Sequence, residues 1–434
     1  MRPAPKDRDG QPVAVPEVKI KERPDYISQT REYELITPLF GGGVEPGVAD
    51  PVTTIRATEI RGHLRFWWRA TRGGQFGGDV EKMKEMEDAI FGAASSGDSS
   101  HESPVAIKVA IKNAGQAFSK DRSGRDIYHP QSDYGYAAFA LRPTGERPTG
   151  APELRRGVRF ALKIEYPKKL EIKREKGSVQ ISAEKEIEAA LWVWETFGGV
   201  GARTRRGFGS IKLLSVNGNA IAYPDNSYRI NEQIGEKLAK YRDLEEFPDD
   251  VPQILHFQIY GRVKESEQVH LDLINLMKGF RQDRGGNKFG RSRWPEADEI
   301  RRLTKSGSPT KSNVRAFPRA YLGLPIMFEF ASEKGLVPQT TLQWAQGTRL
   351  ASPLILRPYP VGADKAIGLI VELDGTLGVV EDGLILIEGK KRHAVSADVP
   401  DAQVRAVAPF RGKDHAIDAF FEYVKDLSKE KGRR

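Results

Sequence analysis

Arginine and glycine carry the chemistry that can be read first. In the run Ile60-Arg-Gly-His-Leu-Arg-Phe-Trp-Trp-Arg-Ala-Thr-Arg72, a pitch of about 100° per residue puts Arg61, Arg65, Arg69 and Arg72 within an arc of roughly 80°. Ile60, Leu64, Trp67 and Trp68 fill the adjacent arc. The pattern predicts an amphipathic helix with an apolar face for a sheet and a row of guanidinium groups beside it. Like charges on one stripe repel unless an anion or neighbouring acids neutralise them. Phosphate does so with bidentate geometry; acids from elsewhere in the fold are the alternative. For the stripe as a unit, with Arg56 just before it, anion binding is the reading adopted. Trp67 and Trp68 read as core rather than as stacking platforms, because they face the sheet side.

The second run is Phe197-Gly-Gly-Val-Gly-Ala-Arg-Thr-Arg-Arg-Gly-Phe-Gly-Ser210, with five glycines and three arginines between a helix and a strand. Glycine lets successive amide groups point one way and lets a ligand backbone approach closely. Gly199, Gly201, Arg203, Thr204, Arg205, Arg206 and Gly207 are therefore candidate contacts for an extended sugar–phosphate chain. The run lacks the Gly-Lys-Ser/Thr ending of a P-loop. It also leads into a strand instead of opening a helix, unlike a dinucleotide fingerprint. A third basic region, Arg281-Gln-Asp-Arg-Gly-Gly-Asn-Lys-Phe-Gly-Arg-Ser-Arg-Trp294, offers Lys288, Arg291 and Arg293, with Phe289 and Trp294 for base stacking. Anchoring of the next helix by Arg291 and Arg293 is the other reading.

These runs need elements to hold them. Strands are expected at 32–37, 105–112, 157–166 and 210–216, and helices at 56–71 and from a Ser182 N-cap to Gly198. The order is strand, helix, strand, strand, helix, strand, with a short helix at 80–91 set aside as an extra. That is the βαββαβ ferredoxin-like arrangement shared by RNA-recognition motifs. Weaker patterns follow: strands at 254–260, 325–330, 367–373 and 383–387, and helices at 271–280, 296–303 and 415–427. The expected fold class is α+β, with two ferredoxin-like (RRM-like) domains carrying long loop insertions. They would occupy residues 30–222 and 223–434, the second divergent and closed by a C-terminal helix, after a flexible tail over 1–29.

Composition narrows the functions. The chain has 434 residues, 68 Lys and Arg against 59 Asp and Glu, a net charge of +9 and no cysteine. Absent cysteine excludes disulfide scaffolds, thiolate zinc sites, Cys-ligated iron–sulfur clusters and cysteine nucleophiles. No apolar run nears the roughly 18 residues of a membrane helix. The first residues also lack the apolar stretch of a secretion signal, so a soluble, cytoplasmic protein is expected. Segments 56–72, 198–212 and 281–315 carry +4, +4 and +6, which leaves the remainder mildly acidic. Such clustering suits a polyanion partner. The histidines show no metal-ligand spacing, and neither a metal nor a cofactor is expected.

Thr37-Pro-Leu-Phe-Gly-Gly-Gly43, the arginine helix and the glycine-rich run together resemble the RAMP superfamily of CRISPR proteins. Within it the chain is most similar to the first RAMP subunit of Cmr (type III-B) effector complexes. Phe317-Pro-Arg-Ala-Tyr-Leu-Gly-Leu-Pro-Ile326 and Arg349-Leu-Ala-Ser-Pro-Leu-Ile-Leu-Arg357 extend the likeness into the second half. The resemblance implies a non-catalytic, antiviral RNA-binding subunit near one end of a ribonucleoprotein. It would hold the 3′ part of the guide crRNA and help engage the target single-stranded RNA, beside other Cmr/RAMP subunits. Two residues keep a RAMP-type endoribonuclease open as an alternative. Asp50 lies in the loop after the first strand, where slicing RAMP subunits use an aspartate. His63 lies near the first helix, where guide-processing RAMP enzymes use a histidine as general acid or base. His63 projects about 120° to 160° from the arginine stripe, so a buried or solvated histidine is the preferred reading. A purely structural subunit whose basic patches meet acidic protein partners is a third possibility.

Overall fold

A computed structural model describes residues 23–41, 53–96, 99–139, 142, 153–174, 177–242, 245–249, 251–285, 290–347, 349–374 and 383–432. Its first half is built on strands β1 (Tyr26–Leu35), β2 (Ala106–Asn113), β3 (Arg159–Pro167) and β4 (Ile211–Val216), with a two-residue β5 (Asn219–Ala220) at one edge. They lie side by side as β5-β4-β1-β3-β2, and every neighbour is antiparallel. In chain order the four long strands read 4-1-3-2. The strand β1 begins at Tyr26, inside the segment expected to be tail. Its alternation puts Tyr33 and Leu35 inward and leaves Ser28, Thr30 and Glu32 outside.

Three helices follow from local signals. Helix α1 (Ala57–Arg72) lies within one residue of the expected span. Helix α2 (Val80–Phe91) matches it fully: Asp79 accepts hydrogen bonds from the Glu81 and Lys82 amides at 3.1 and 3.0 Å, and Gly92 ends it. Helix α3 (Ala183–Phe197) opens on the Ser182 hydroxyl, which accepts from the Lys185 amide at 3.3 Å. Helices α1 and α3 cover one face of the sheet. Ile60, Leu64, Trp67 and Trp68 join Ile187, Leu191 and Trp194 over Tyr33, Phe160, Leu162 and Ile164, so both tryptophans of α1 are core. A hairpin of Lys169–Arg174 and Gly177–Ser182 precedes α3, where no strand was expected.

The second half opens with an unexpected helix, α4 (Ser227–Tyr241). Then come β6 (Ile254–Glu265), α5 (Ser266–Arg281), α6 (Glu296–Thr304), β7 (Ile326–Phe328), β8 (Thr340–Trp344), β9 (Leu354–Val361), β10 (Lys365–Leu373), β11 (Leu384–Glu388), β12 (Lys391–Val395) and α7 (Ala416–Gly432). Two antiparallel sheets result, ordered β6-β10-β9 and β7-β8-β11-β12. Every residue of β9 is buried. One face of its sheet (Ile355, Tyr359, Leu369, Val371) completes the core of the first half. The other (Leu354, Leu356, Ala366, Ile370) packs with Leu273, Met277 and Phe420. The two halves thus share a core across β9 and β10. The molecule is mixed α/β with antiparallel sheets.

Glu186 ties three helices together. Its buried carboxylate accepts from Trp68 Nε1 at 2.8 Å and from Arg72 Nη2 and Nε at 3.0 and 3.1 Å, while Arg72 Nη1 donates to Tyr241 O at the end of α4. Removing one partner strands the others without solvent. Glu186→Ala is expected to cost about 3–5 kcal/mol of stability, read from urea midpoints. Trp68→Phe, which deletes a single donor, should cost less. A Glu186→Ala midpoint equal to wild type would show that the network contributes nothing.

Candidate nucleic-acid interface

The arginine stripe forms, but it is not open. Helix α2, set aside as an extra, lies against it. Arg65 donates to Glu87 Oε1 at 2.5 Å, to Asp88 Oδ1 at 3.0 Å and to Gly92 O at 2.6 Å. Arg69 donates to the same Glu87 oxygen at 2.6 Å, and Arg72 is engaged by Glu186. Arg61 has no carboxylate and instead donates to Phe91 O and Val105 O at 3.0 and 3.2 Å. The last carbonyls of α2 carry partial negative charge, which suits guanidinium donors. Arg56 stands at the N-cap of α1 with its Nε buried and without a hydrogen bond. Of the row expected to cradle an anion, Arg65, Arg69 and Arg72 are thus engaged by carboxylates of the fold, the alternative given for such a stripe. Arg61, the fourth of the row, receives carbonyls alone.

The glycine-rich run behaves differently. Gly198 caps α3, and a 3₁₀ turn at Thr204–Arg206 forms its tip, flanked by Arg203 (φ 61°) and Gly207 (φ 79°) in the left-handed region. The glycines serve the protein's own packing rather than ligand approach. A Cβ at Gly201 would stand 2.6 Å from Leu39 Cδ1, and one at Gly207 would stand 2.8 Å from His270 Cδ2. The Gly201 amide, expected to face a ligand, donates to Glu59 Oε1 at 2.5 Å. Gly199 is also enclosed, with its carbonyl accepting from Trp194 Nε1 at 3.1 Å.

The arginines of this loop have no carboxylate among the described residues. Arg205 donates to Ser352 O, and Arg206 Nη1 donates to Leu354 O at 3.3 Å and to Arg205 O at 3.2 Å. Loss of hydration on burial pulls both guanidinium groups down to about 10, so they stay charged at neutral pH. Arg203 reaches the surface. Partial desolvation and the positive charges of Arg349 and Arg281 hold it below the usual arginine range. Arg281 closes α5 and donates to Leu322 O at 3.0 Å; Arg349 is exposed before β9. Five guanidinium groups from three chain segments thus gather with no acid among the described residues to neutralise them, beside half-buried Tyr136. Two of the five were not anticipated at this place. Arg281 stood at the edge of the third basic region, and Arg349 at the head of a quoted segment.

In the third basic region the described arginines Arg291 and Arg293 are also engaged within the fold. Arg293 pairs with Asp283, its Nη2 donating at 2.6 and 2.9 Å. Arg291 donates to Pro309 O at 2.9 Å and lies 3.7 Å from Asp298. Trp294 is core, and its Nε1 donates to Phe280 O at 2.9 Å, so it offers no face to a base. Lys288 and Phe289 lie outside the described residues, as does Asp50. His63 is half-buried, with Nε2 3.5 Å from Glu59 Oε1. Burial pushes the Glu59 carboxyl up, but the nearby His63 imidazole and the hydrogen bond from the Gly201 amide outweigh it and hold the group below its usual range. Among the described residues no group of three or more His, Asp or Glu could hold a metal ion, and no helix is long and apolar enough to cross a membrane.

Residues 32–212 match the profile of the RAMP superfamily, so the resemblance read from the arginine helix and the glycine loop holds for that segment. The chain is similar to the CRISPR system Cmr subunit Cmr1-1 of Pyrococcus furiosus, 28% identical over 216 residues, which are 49% of this chain and 53% of the relative. It is also similar to Cmr subunit Cmr1-2 of the same organism, 28% identical over 193 residues, 42% of this chain and 92% of the relative. The match thus spans about half the length of the first relative. Among solved structures, apo Cmr1 from Pyrococcus furiosus aligns at 20% identity with TM-score 0.45, covering 80% of this chain and 88% of that one. A chain of the type III-B Cmr-beta complex bound to cognate target RNA aligns at 11% identity with TM-score 0.47, covering 92% and 99%.

Pairing separates two sets of arginines that the sequence alone treats alike. Arg65→Ala is expected to lower the thermal midpoint, because Glu87 and Asp88 lose a donor at a cost of about 1–3 kcal/mol, with little change in nucleic-acid affinity. Arg349→Ala should do the reverse. Melting curves and an RNA titration on the two variants distinguish them; equal behaviour would refute the division.

Proposed function

We propose that this chain is the non-catalytic RNA-binding subunit of a type III-B CRISPR effector complex in the cytoplasm. It would contact the 3′ part of the guide crRNA and help engage complementary target RNA beside other Cmr/RAMP subunits. The likeness to the two Cmr1 relatives supports the class. The five acid-free guanidinium groups of Arg203, Arg205, Arg206, Arg281 and Arg349 carry the chemistry, because a sugar–phosphate strand is the polyanion such a cluster accommodates. Both halves are read as ferredoxin-like. The first has the 4-1-3-2 strand order with α1 and α3 on one face. In the second, β6, α5, β9, β10 and α7 come in that chain order, with α6, β7 and β8 inserted before β9 and β11 and β12 before α7, and the strand order is 1-3-2, with no fourth strand beside β6 among the described residues. The glycine loop acts by aiming Arg203, Thr204, Arg205 and Arg206.

The test is a titration of the full chain with a single-stranded RNA at increasing salt. If the protein contacts ~6 phosphates, log K falls by about 4 per decade of salt. Arg203→Ala and Arg349→Ala should each lower that slope by about 0.7 and weaken binding evenly across sequences. Salt-independent affinity would overturn the reading. The same RNA should remain intact with and without divalent metal. Cleavage abolished by His63→Ala or Asp50→Asn would instead establish the endoribonuclease alternative.

A further inference from the structure

The loop that presents these arginines belongs to the first half, yet second-half residues hold it. Arg357, on β9, is fully buried, and all its described partners are backbone carbonyls. Its Nη1 donates to Glu195 O at 2.9 Å and Gly198 O at 2.7 Å, its Nη2 to Ile211 O at 2.8 Å, and its Nε to Pro358 O at 3.2 Å. Glu195 and Gly198 stand where α3 ends and the loop begins; Ile211 stands where the loop becomes β4. One guanidinium thus closes the two ends of the loop on each other. A second strut meets the tip. His270, on α5, is fully buried against Phe208 and Tyr134, with ring centroids 4.7 and 6.0 Å away. Its Nε2 lies 2.8 Å from Arg206 O. A carbonyl only accepts, so Nε2 carries the proton. The other nitrogen, Nδ1, is buried with no hydrogen-bond partner among the described residues. Desolvation pulls the imidazole down to about 4, which keeps it neutral, and the bond to Arg206 O fixes its tautomer.

We propose that Arg357 and His270 are positioning residues for RNA binding: from the second half they fix the base and the tip of the glycine loop, so that Arg203, Arg205 and Arg206 point at one strand together with Arg281 and Arg349. The proposal rests on the RNA-binding reading above. It assigns a ligand-free role to a charged residue that pure packing does not require, since a buried apolar strand residue would avoid the desolvation cost of a guanidinium. First-half groups also brace the loop, with the Ala202 and Gly209 amides donating to Phe40 O and Pro38 O at 2.8 and 2.9 Å and the Thr37 hydroxyl to Gly207 O at 2.7 Å; Arg357 and His270 add the bonds that couple it to the second half, where Arg281 and Arg349 lie.

The experiment uses the full chain with Arg203→Ala, His270→Phe, His270→Gln, Arg357→Met and Arg357→Lys. Each variant is melted and then titrated with a fluorescent 20-nucleotide single-stranded RNA across a salt series. His270→Phe removes the donor to Arg206 O. It is expected to melt as a folded protein, to bind about tenfold more weakly at 0.1 M salt, and to show a salt slope shallower by about 1.4, the loss of two phosphate contacts. His270→Gln keeps an N–H donor and should restore both values. Arg357→Met should weaken binding at least as much, with Arg357→Lys between it and wild type, because an ammonium cannot span three carbonyls in a plane. If Arg357→Met does not fold, the His270 pair decides. A folded His270→Phe with wild-type affinity and slope overturns the positioning role, as does a His270→Gln no better than His270→Phe. Should Arg203→Ala also bind as wild type, the RNA reading itself falls. If Arg203→Ala loses affinity while His270→Phe does not, only the positioning role falls.

Discussion

A guanidinium group out of water must find acceptors, and the fold meets that demand at Arg357 by bringing its two halves together. The carbonyls it uses belong to α3, to the glycine loop and to β4, whereas the residue itself sits in β9. For this to happen β9 must lie between the halves with every residue buried. Its sheet then contributes one face to each core. The shared core is the packing consequence of that insertion. The glycine pattern follows too, because Gly207 must pass close to the His270 ring and the Leu356 carbonyl.

The same demand sorts the remaining arginines. Arg65, Arg69 and Arg72 find carboxylates on α2 and α3. Arg291 and Arg293 find them around α6 and at the end of α5. A charge paired in this way contributes to the fold and projects little field. Among the described residues Arg203, Arg205, Arg206, Arg281 and Arg349 receive at most carbonyls, so no described acid offsets their charge. Net charge cannot make this distinction, and neither can the local count. Segments of +4 behave oppositely according to whether an acidic helix packs against them.

Local signals in the chain mark much of this architecture. The Asp79 and Ser182 caps and the glycines at 92 and 198 delimit α2 and α3 closely, because capping is a contact between near neighbours. Strand β9 escaped notice because Pro358 and Pro360 argue against a strand; it tolerates them at the edge of its three-stranded sheet. Helix α4 carries Ile230, Ile234 and Leu238 at four-residue spacing with Asn226 accepting from the Arg229 amide, a legible pattern that its polar surroundings obscured. The site was half legible. The helical wheel correctly grouped the arginines of α1, but a wheel says which side chains share a face and not what covers that face. Glu87 lies on α2, and its pairs with Arg65 and Arg69 are tertiary contacts that a single helical wheel does not hold. The convergence of Arg281 and Arg349 with Arg203 is a tertiary fact, since these residues come from three segments of the chain.

The location of the acid-free cluster then has an energetic logic. Arg203, Arg205 and Arg206 come from the first half, and Arg281 and Arg349 from the second, so the mutual repulsion of the five groups acts across the contact between the halves. Arg357, His270 and the shared apolar core hold the halves against that repulsion. On the proposed reading, an anionic strand lying over the cluster would convert the repulsion into attraction on both sides at once, and binding would be linked to cohesion of the halves. Arginines confined to α1 could not produce that coupling, because they all lie within the first half and Arg65, Arg69 and Arg72 are paired there.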